Sequence, residues 1–132
     1  MMVKALLPFR DRYRAQIDIG VSTLLKLWEN RTSQKPVLFA MGTHFAKLKA
    51  PFVWYDILHV LDVLSQIPEI HDEEPLREMA AVIQMKADPE RRFTPESIWM
   101  DWRGWDFGQK QEPSRWLTFL ARRALDRLKS PS

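Results

Sequence analysis

The segment from Phe52 to Gln66 is apolar on most sides of a helix, and this property constrains the fold more than any other feature of the chain. Pro51 precedes it and suits the first turn of a helix, where a missing N–H is no loss. Pro68 follows and ends the pattern. Because a helix that is apolar nearly all round must be covered by other elements, the sequence predicts a central helix in an all-α fold.

Three further segments carry the spacing of amphipathic helices. The first runs from Tyr13 to Trp28, with apolar residues recurring three and four positions apart. The second is opened by Pro75 and ends at Asp88-Pro89, and the third starts at Pro113 or Ser114. These surface helices would cover the central one.

Long connections rich in aromatic residues separate the predicted helices. Val37 to Ala50 has no sustained period, which predicts an ordered loop. Thr94 to Glu96 has the order cap, proline, acid that is typical of a helix start, and Gly104 would end that short helix. Gly20 lies inside the first helix, where it indicates close packing against a neighbour.

The two halves of the chain resemble each other. In each, a helix and a long connection lead to a helix opened by Pro-x-x-Trp, at Pro51 and Trp54 in the first half and at Pro113 and Trp116 in the second. Such a repeat is typical of stacked helical hairpins. We therefore expect two antiparallel helical hairpins with long aromatic-rich loops.

The length of 132 residues predicts a single domain, with residues 1–11 as an N-terminal extension and 130–132 as a tail. Composition is near the globular average, with 45% apolar and 28% charged residues. There is no cysteine, which excludes a disulfide framework and thiolate zinc sites. We expect no signal peptide, no membrane span and a cytoplasmic location.

Several phrases of the sequence resemble bacterial proteins grouped with the prenyltransferase and squalene-cyclase repeat proteins. The similarity covers roughly residues 22 to 127, and the phrases that carry it are LLKLW at 24–28, KLKAPFVWYDIL at 47–58, FTPES at 93–97, WDFGQK at 105–110 and PSRWLT at 113–118. The resemblance implies part of an α/α toroid, in which loops rich in Gln, Gly and Trp tie the ends of neighbouring helices. Gln84 to Asp88 with Phe93 is similar to one such loop, with Phe in the place of Trp.

Enzymes of this family use catalytic groups that this chain lacks. Cyclases of this type protonate their substrate with a cluster of neighbouring aspartates, and the zinc-dependent prenyltransferases hold their metal with Asp, Cys and His. This chain has neither the aspartate cluster nor a cysteine. A closed toroid also needs more helix pairs than 132 residues supply. The resemblance therefore implies a fragment of a ring, completed by another copy or another chain.

Asp56, His59 and Asp62 share one edge of the predicted central helix, because they are three residues apart. Asp56 and His59 suit an acid/base pair or two metal ligands. The structural alternative is a half-buried histidine whose ring is satisfied by Asp56 or Asp62, and the sequence favours it. His44 and His71 complete no metal motif, so we expect no metal and no cofactor.

Four aromatic residues are candidate walls of a pocket for an apolar, sugar or nucleobase ligand: Trp54, Tyr55, Trp99 and Trp102. The alternative, that these rings seal the core, is favoured. Carboxylates flank the rings at Glu96, Asp101 and Asp106, where ordinary capping and solvation explain them equally well. Ser97 and Ser114 have the character of helix-start residues rather than nucleophiles.

The last helix carries most of the basic excess of the chain, at Arg115, Arg122, Arg123 and Arg127. Such a face suits phosphate contacts, but it is also typical of a solvated helix near its C-terminus, so a nucleic-acid partner is the less favoured interpretation. The sequence favours a non-catalytic binding or assembly module with an aromatic face for an apolar ligand or a partner subunit. The alternatives are an enzyme acting on an isoprenoid-like or glycan substrate and nucleic-acid binding by the last helix.

Overall fold

The computed structural model describes residues 2–30, 46–50, 56–98 and 110–129. Within these ranges the chain is mostly helical, as predicted. The α-helices are α1 (Met2–Leu6), α2 (Arg14–Glu29), α3 (Ile57–Leu64), α4 (Glu74–Gln84) and α5 (Arg115–Lys129). Short 3₁₀ turns at Leu7–Phe9 and Pro68–Ile70 follow α1 and α3.

Helix α3 is the centre of the molecule, because all eight of its residues are buried. It packs against α4 and α5, while α2 packs against α1 and α4. Burying an aliphatic side chain contributes about 1.5–3 kcal/mol, so α3 is held mainly by its neighbours. The prediction of a central apolar helix is confirmed.

The helices that pack against α3 differ from those that the similarity between the two halves of the chain predicts. The repeat pairs α2 with α3 and α4 with α5, whereas α3 makes its most extensive helix contacts with α4 and α5. Helix α3 also starts later than expected. Asp56 has extended backbone angles and caps the helix, so a helix running unbroken from Phe52 is wrong.

Two short strands join the segments before α3 and after α4. Strand β1 (Lys49–Ala50) pairs in parallel with β2 (Ser97–Ile98). A loop without strand structure at residues 49–50 and a helix starting at Thr94 are therefore both wrong. Glu96 explains the difference, because its carboxylate accepts a hydrogen bond from the amide of Leu48 (3.0 Å) and its own amide donates to the Leu48 carbonyl (2.7 Å).

The chain before α2 belongs to the same core as the helices. Val3 and Leu7 are buried and join the cluster that surrounds α3. A Cβ atom on Gly20 would collide with Cγ2 of Val3, so only glycine lets α1 lie this close to α2. The predicted close packing at Gly20 is confirmed.

Helix α5 begins where its sequence predicts. The Ser114 hydroxyl accepts a hydrogen bond from the amide of Leu117 (3.2 Å), which is the capping role expected of Ser114. The Ser114 amide donates to the carbonyl of Phe93 (2.9 Å), and the Phe93 amide donates to the hydroxyl of Thr118 (2.9 Å). The buried ring of Phe93 thus fixes the chain that leaves α4 to the first turn of α5.

Candidate functional site

Asp56 connects β1 to the start of α3. One carboxylate oxygen accepts from the amide of His59 (2.8 Å) and the other from the amide of Lys49 (3.2 Å). The residue is 1% exposed, and burial raises the pKa of Asp56 to about 7, against the lowering effect of the two amide hydrogen bonds. Its position and contacts are those of a buried helix cap.

His59 lies beside Asp56, as predicted, although Asp56 caps α3 instead of lying on it. The hydrogen bond that links the two residues runs from the backbone amide of His59 to the carboxylate. His59 is 8% exposed, so both members of the candidate acid/base pair lie within the core. A substrate would need an opening to reach either of them.

Asp62 is the most deeply buried charged residue in the described part of the chain, at 0% exposure. One of its oxygens accepts from Arg123 Nη2 (2.9 Å) and from Arg127 Nη1 (3.1 Å). A buried carboxylate is stable only when cations or several donors compensate its lost hydration. Asp62 therefore fastens α5 to α3, and the structure assigns it to these arginines.

The polar cluster around Asp62 extends to the end of α3. Arg127 Nη1 also donates to the Asp62 carbonyl (3.2 Å) and lies 3.3 Å from the hydroxyl of Ser65. The Ser65 hydroxyl donates to the same carbonyl (2.9 Å), and His71 Nε2 donates to the carbonyl of Ser65 (2.7 Å). The cluster holds α5, the end of α3 and the following turn together.

Arg123 and Arg127 were expected on a solvated face, and this expectation is wrong for their guanidinium groups. An aspartate in the middle of an apolar helix is the sequence signal that a cation must reach it. The two arginines are four positions apart on α5, which places both on one side of that helix. Which helix would supply the cation depends on the packing, and no local pattern contains that information.

The outward side of α5 carries an exposed pair of aromatic rings. Trp116 is 53% exposed and Phe119 is 51% exposed, and their rings stack with centroids 5.6 Å apart. The guanidinium carbon of Arg123 lies 5.3 Å from the centre of the Phe119 ring. A shallow groove along this side is lined by Arg115, Thr118, Phe119, Arg122, Arg123, Asp126 and Arg127. We call the exposed surface formed by Trp116, Phe119, Arg115 and Arg122 the α5 face.

A second concavity lies between α2 and the two 3₁₀ turns. Its volume is about 80 Å³, and its floor is apolar, with Leu7, Ile17, Val21, Ile67 and Ile70. Charged residues stand at its rim, at Arg10, Arg14, Asp18 and Glu69. This space is far smaller than the 300–1,000 Å³ that is usual for ligand pockets.

The candidate pocket walls Trp54, Tyr55, Trp99 and Trp102 lie outside the described residues, as do His44, Asp101 and Asp106. Glu96 is described, and its carboxylate accepts from the Leu48 amide and lies 2.7 Å from Lys86 Nζ. Glu96 therefore fixes β1 and β2 rather than facing a ligand. Ser97 lies in β2, so its expected place at a helix start is wrong.

Two general features of the described residues concern metal sites and membrane-spanning helices. No group of three or more His, Asp and Glu side chains within them is arranged to hold a metal ion. None of the helices that they form combines the length and the apolar character needed to cross a bilayer.

Comparison with protein-family models, with curated proteins and with solved structures finds no match for this chain.

Proposed function

We propose that this protein is a non-catalytic binding module that contacts another protein chain through the α5 face. The observation that carries the proposal is the stacked and exposed pair Trp116 and Phe119. Tryptophan and arginine are the residues that most often dominate the energy of protein interfaces. Arg115 and Arg122 are exposed on the same side of the helix as the two rings, so the α5 face carries both tryptophan and arginine.

The two rings are not needed to fill the core on their side of α5. The buried side of that helix is already formed by Leu117, Leu120, Ala121, Ala124 and Leu125. Complete burial of a large apolar side chain contributes about 1.5–3 kcal/mol, and Trp116 and Phe119, each about half exposed, forgo part of this free energy. An interaction partner that covers the rings would recover this free energy.

The geometry around Asp56 favours a non-catalytic role over the enzyme alternative. Both oxygens of the carboxylate accept backbone amides, and the side chain is buried. Its raised pKa follows from this burial and needs no catalytic explanation. The alternative, with Asp56 and His59 as acid and base, predicts that Asp56→Asn leaves the fold intact and abolishes turnover of an isoprenoid-like or glycan substrate.

Nucleic-acid binding by α5 is supported less well than protein binding. Arg123 and Arg127 direct guanidinium nitrogens to Asp62, which reduces the charge that they offer to phosphates. The α5 face retains Arg115 and Arg122. If α5 binds phosphates, its affinity for nucleic acid should fall steeply as the salt concentration rises. A filter-binding titration that starts at low salt measures this affinity directly.

An α/α arrangement like that of the prenyltransferase and squalene-cyclase repeat proteins is part of the proposal. What supports it is the segment from Gln84 to Phe93, which leads from the end of α4 to the Ser114 cap of α5. A loop that ties the ends of two helices is what the resemblance implies for these residues. The cytoplasmic location stays a prediction from the sequence.

A site-specific photo-crosslinker tests the proposal. A benzophenone amino acid replaces Phe119 in one variant and Met85 in a control, since Met85 is an exposed hydrophobic residue on a different surface, 86% exposed. Irradiation in cells is followed by mass spectrometry of the adducts. We expect a defined protein adduct at position 119 that is absent at position 85 and is lost on Arg122→Glu. Equal labelling at both positions, or adducts only with nucleic acid, would contradict the proposal.

A further inference from the structure

The arginines of the α5 face are cations without acidic partners in the described ranges. Arg115 and Arg122 are exposed and form no ion pair with any residue that the structure describes. Asp126, the acid that lines the same groove, is 4.0 Å from Arg91. No acid of the described ranges therefore pairs with these two arginines, and their charge suits an acidic surface on a partner.

A surface of matching chemistry lies on the same chain, in the segment from Pro68 to Glu74. Its four acids are exposed, at Glu69, Asp72, Glu73 and Glu74. Asp72 makes a loose pair with Arg77 (3.5 Å). Among the described residues, Glu69, Glu73 and Glu74 take part in no ion pair. We call this segment the acidic turn.

The acidic turn combines its charge with apolar atoms in a fixed backbone. Pro68 is exposed and Ile70 is partly exposed, so both offer apolar surface to an aromatic ring. The 3₁₀ turn Pro68–Ile70 fixes the backbone, and the hydrogen bond from His71 to the carbonyl of Ser65 (2.7 Å) ties it to the end of α3. A preformed loop loses little conformational entropy on binding.

We propose that the occupant of the α5 face is the acidic turn of a second copy of this chain. This inference rests on the proposed function and names the partner. The proline and isoleucine would cover the rings of Trp116 and Phe119, and the carboxylates would meet Arg115 and Arg122. Within one chain the turn is anchored beside Ser65, and its acids reach neither arginine.

The contact is head-to-tail rather than twofold. A twofold contact between two α5 faces would place the arginines of both copies at one interface, where like charges repel. The α5 face and the acidic turn are different surfaces, and every copy has both. Repeating such a contact produces a closed ring or an open filament, according to the rotation that relates neighbouring copies.

The contact is small, because it involves one face of a single helix and one turn. Interfaces at the low end of the size range are weak and transient. Association therefore has to be measured at protein concentrations up to about 1 mM, where a dissociation constant in that range becomes visible. Since charges at the surface contribute, raising the salt concentration should weaken the association.

Charge reversal followed by mixing tests the proposal in the full chain. The face variant is Arg115→Glu with Arg122→Glu, and the turn variant is Glu69→Lys with Glu73→Lys. The control is Arg12→Glu with Lys26→Glu, which reverses two exposed charges that line neither the groove along α5 nor the concavity that Glu69 borders. Sedimentation equilibrium measures association, and urea unfolding verifies that each variant keeps the fold.

We expect the wild type and the control to associate as the protein concentration rises. Each test variant should have a dissociation constant that is at least about tenfold higher. An equimolar mixture of the face and turn variants should regain association, because each supplies the surface that the other lacks. A mixture that stays monomeric, test variants that associate like the wild type, or a monomeric wild type would each overturn the inference.

The same measurements separate this inference from the proposed function. If the wild type remains monomeric while the crosslinker at position 119 captures a different protein, the self-association is wrong and the binding role of the α5 face stands. If position 119 labels no more than position 85 and the charge-reversal mixture also stays monomeric, both are wrong.

Discussion

Trp28 Nε1 donates a hydrogen bond of 2.7 Å to Glu78 Oε2, and this bond joins α2 to α4. Trp28 is 2% exposed, so its indole N–H depends on the carboxylate for compensation. Glu78→Ala should lower the free energy of unfolding by about 1–3 kcal/mol, because a buried donor loses its acceptor. Urea denaturation at neutral pH measures the loss. Glu78→Gln keeps an acceptor and should lose less than half as much, and equal losses for the two variants would exclude the hydrogen bond as the cause.

Gly20 and Val3 define a close approach of α1 to α2. Alanine has the higher helix propensity by about 1 kcal/mol, yet Gly20→Ala should destabilise the protein, because its Cβ collides with Val3. In a Val3→Ala background the collision disappears, and the same change should stabilise. Thermal unfolding of the four proteins of this double-mutant cycle provides the measurement. A stabilising effect in both backgrounds would show that α1 does not lie against Gly20.

Asp56 should make stability depend on pH in an unusual direction. The pKa of Asp56 is raised by burial from 3.8 to about 7, so between these values the folded protein binds more protons at this position than the unfolded chain does. The contribution of Asp56 to the free energy of unfolding therefore falls as pH rises from about 4 to about 7, by up to about 4 kcal/mol.

Asp56→Asn isolates this contribution, since asparagine also serves as a helix cap and does not titrate. Urea unfolding of both proteins at several pH values gives the difference in stability between wild type and variant. We expect this difference to change in favour of the variant as pH rises through the window. A difference that is constant with pH would contradict the raised pKa.

Arg127 and Arg122 lie on the same helix but have different surroundings. Arg127 compensates the buried carboxylate of Asp62, whereas Arg122 is exposed and outside the described ion pairs. Arg127→Ala should cost about 1–3 kcal/mol, while Arg122→Ala should stay within about 0.5 kcal/mol. Chemical denaturation of the pair checks the prediction. Similar losses for both would mean that Arg123 alone suffices to hold Asp62.

The local sequence pattern predicts the helices, but it does not predict the structure of the segments that connect them. The starts of α2, α4 and α5 follow from periodicity, proline and capping residues, which act within a few positions, whereas α4 ends at Gln84, before the predicted Asp88-Pro89. The strand at Ser97 does not follow, because it depends on Glu96 accepting the amide of Leu48, which is 48 positions away. The start of α3 has a local cap, since Asp56 accepts the amide of His59, but the proline at position 51 also fits a helix start and placed the prediction too early.

The local sequence pattern also predicts the candidate sites only in part. The neighbourhood of Asp56 and His59 was predictable because they are three positions apart at the start of one helix, whereas the arginines that pair with Asp62 are 61 and 65 positions further along the chain. The exposed side of α5 is different, because the apolar spacing of Leu117, Leu120 and Leu125 defines the buried side of that helix. Phe119 falls on the opposite side and Trp116 outside the apolar stripe, and both are exposed.

The complete enclosure of α3 has a consequence for how the protein folds. An eight-residue helix has too few internal hydrogen bonds to persist alone, so it forms only while its neighbours hold it. Cleavage of the chain between α3 and α4 should therefore leave two fragments that are each unable to fold, despite the similarity of the two halves. Unfolding should proceed as one cooperative transition, in which the central segment melts together with the helices that surround it.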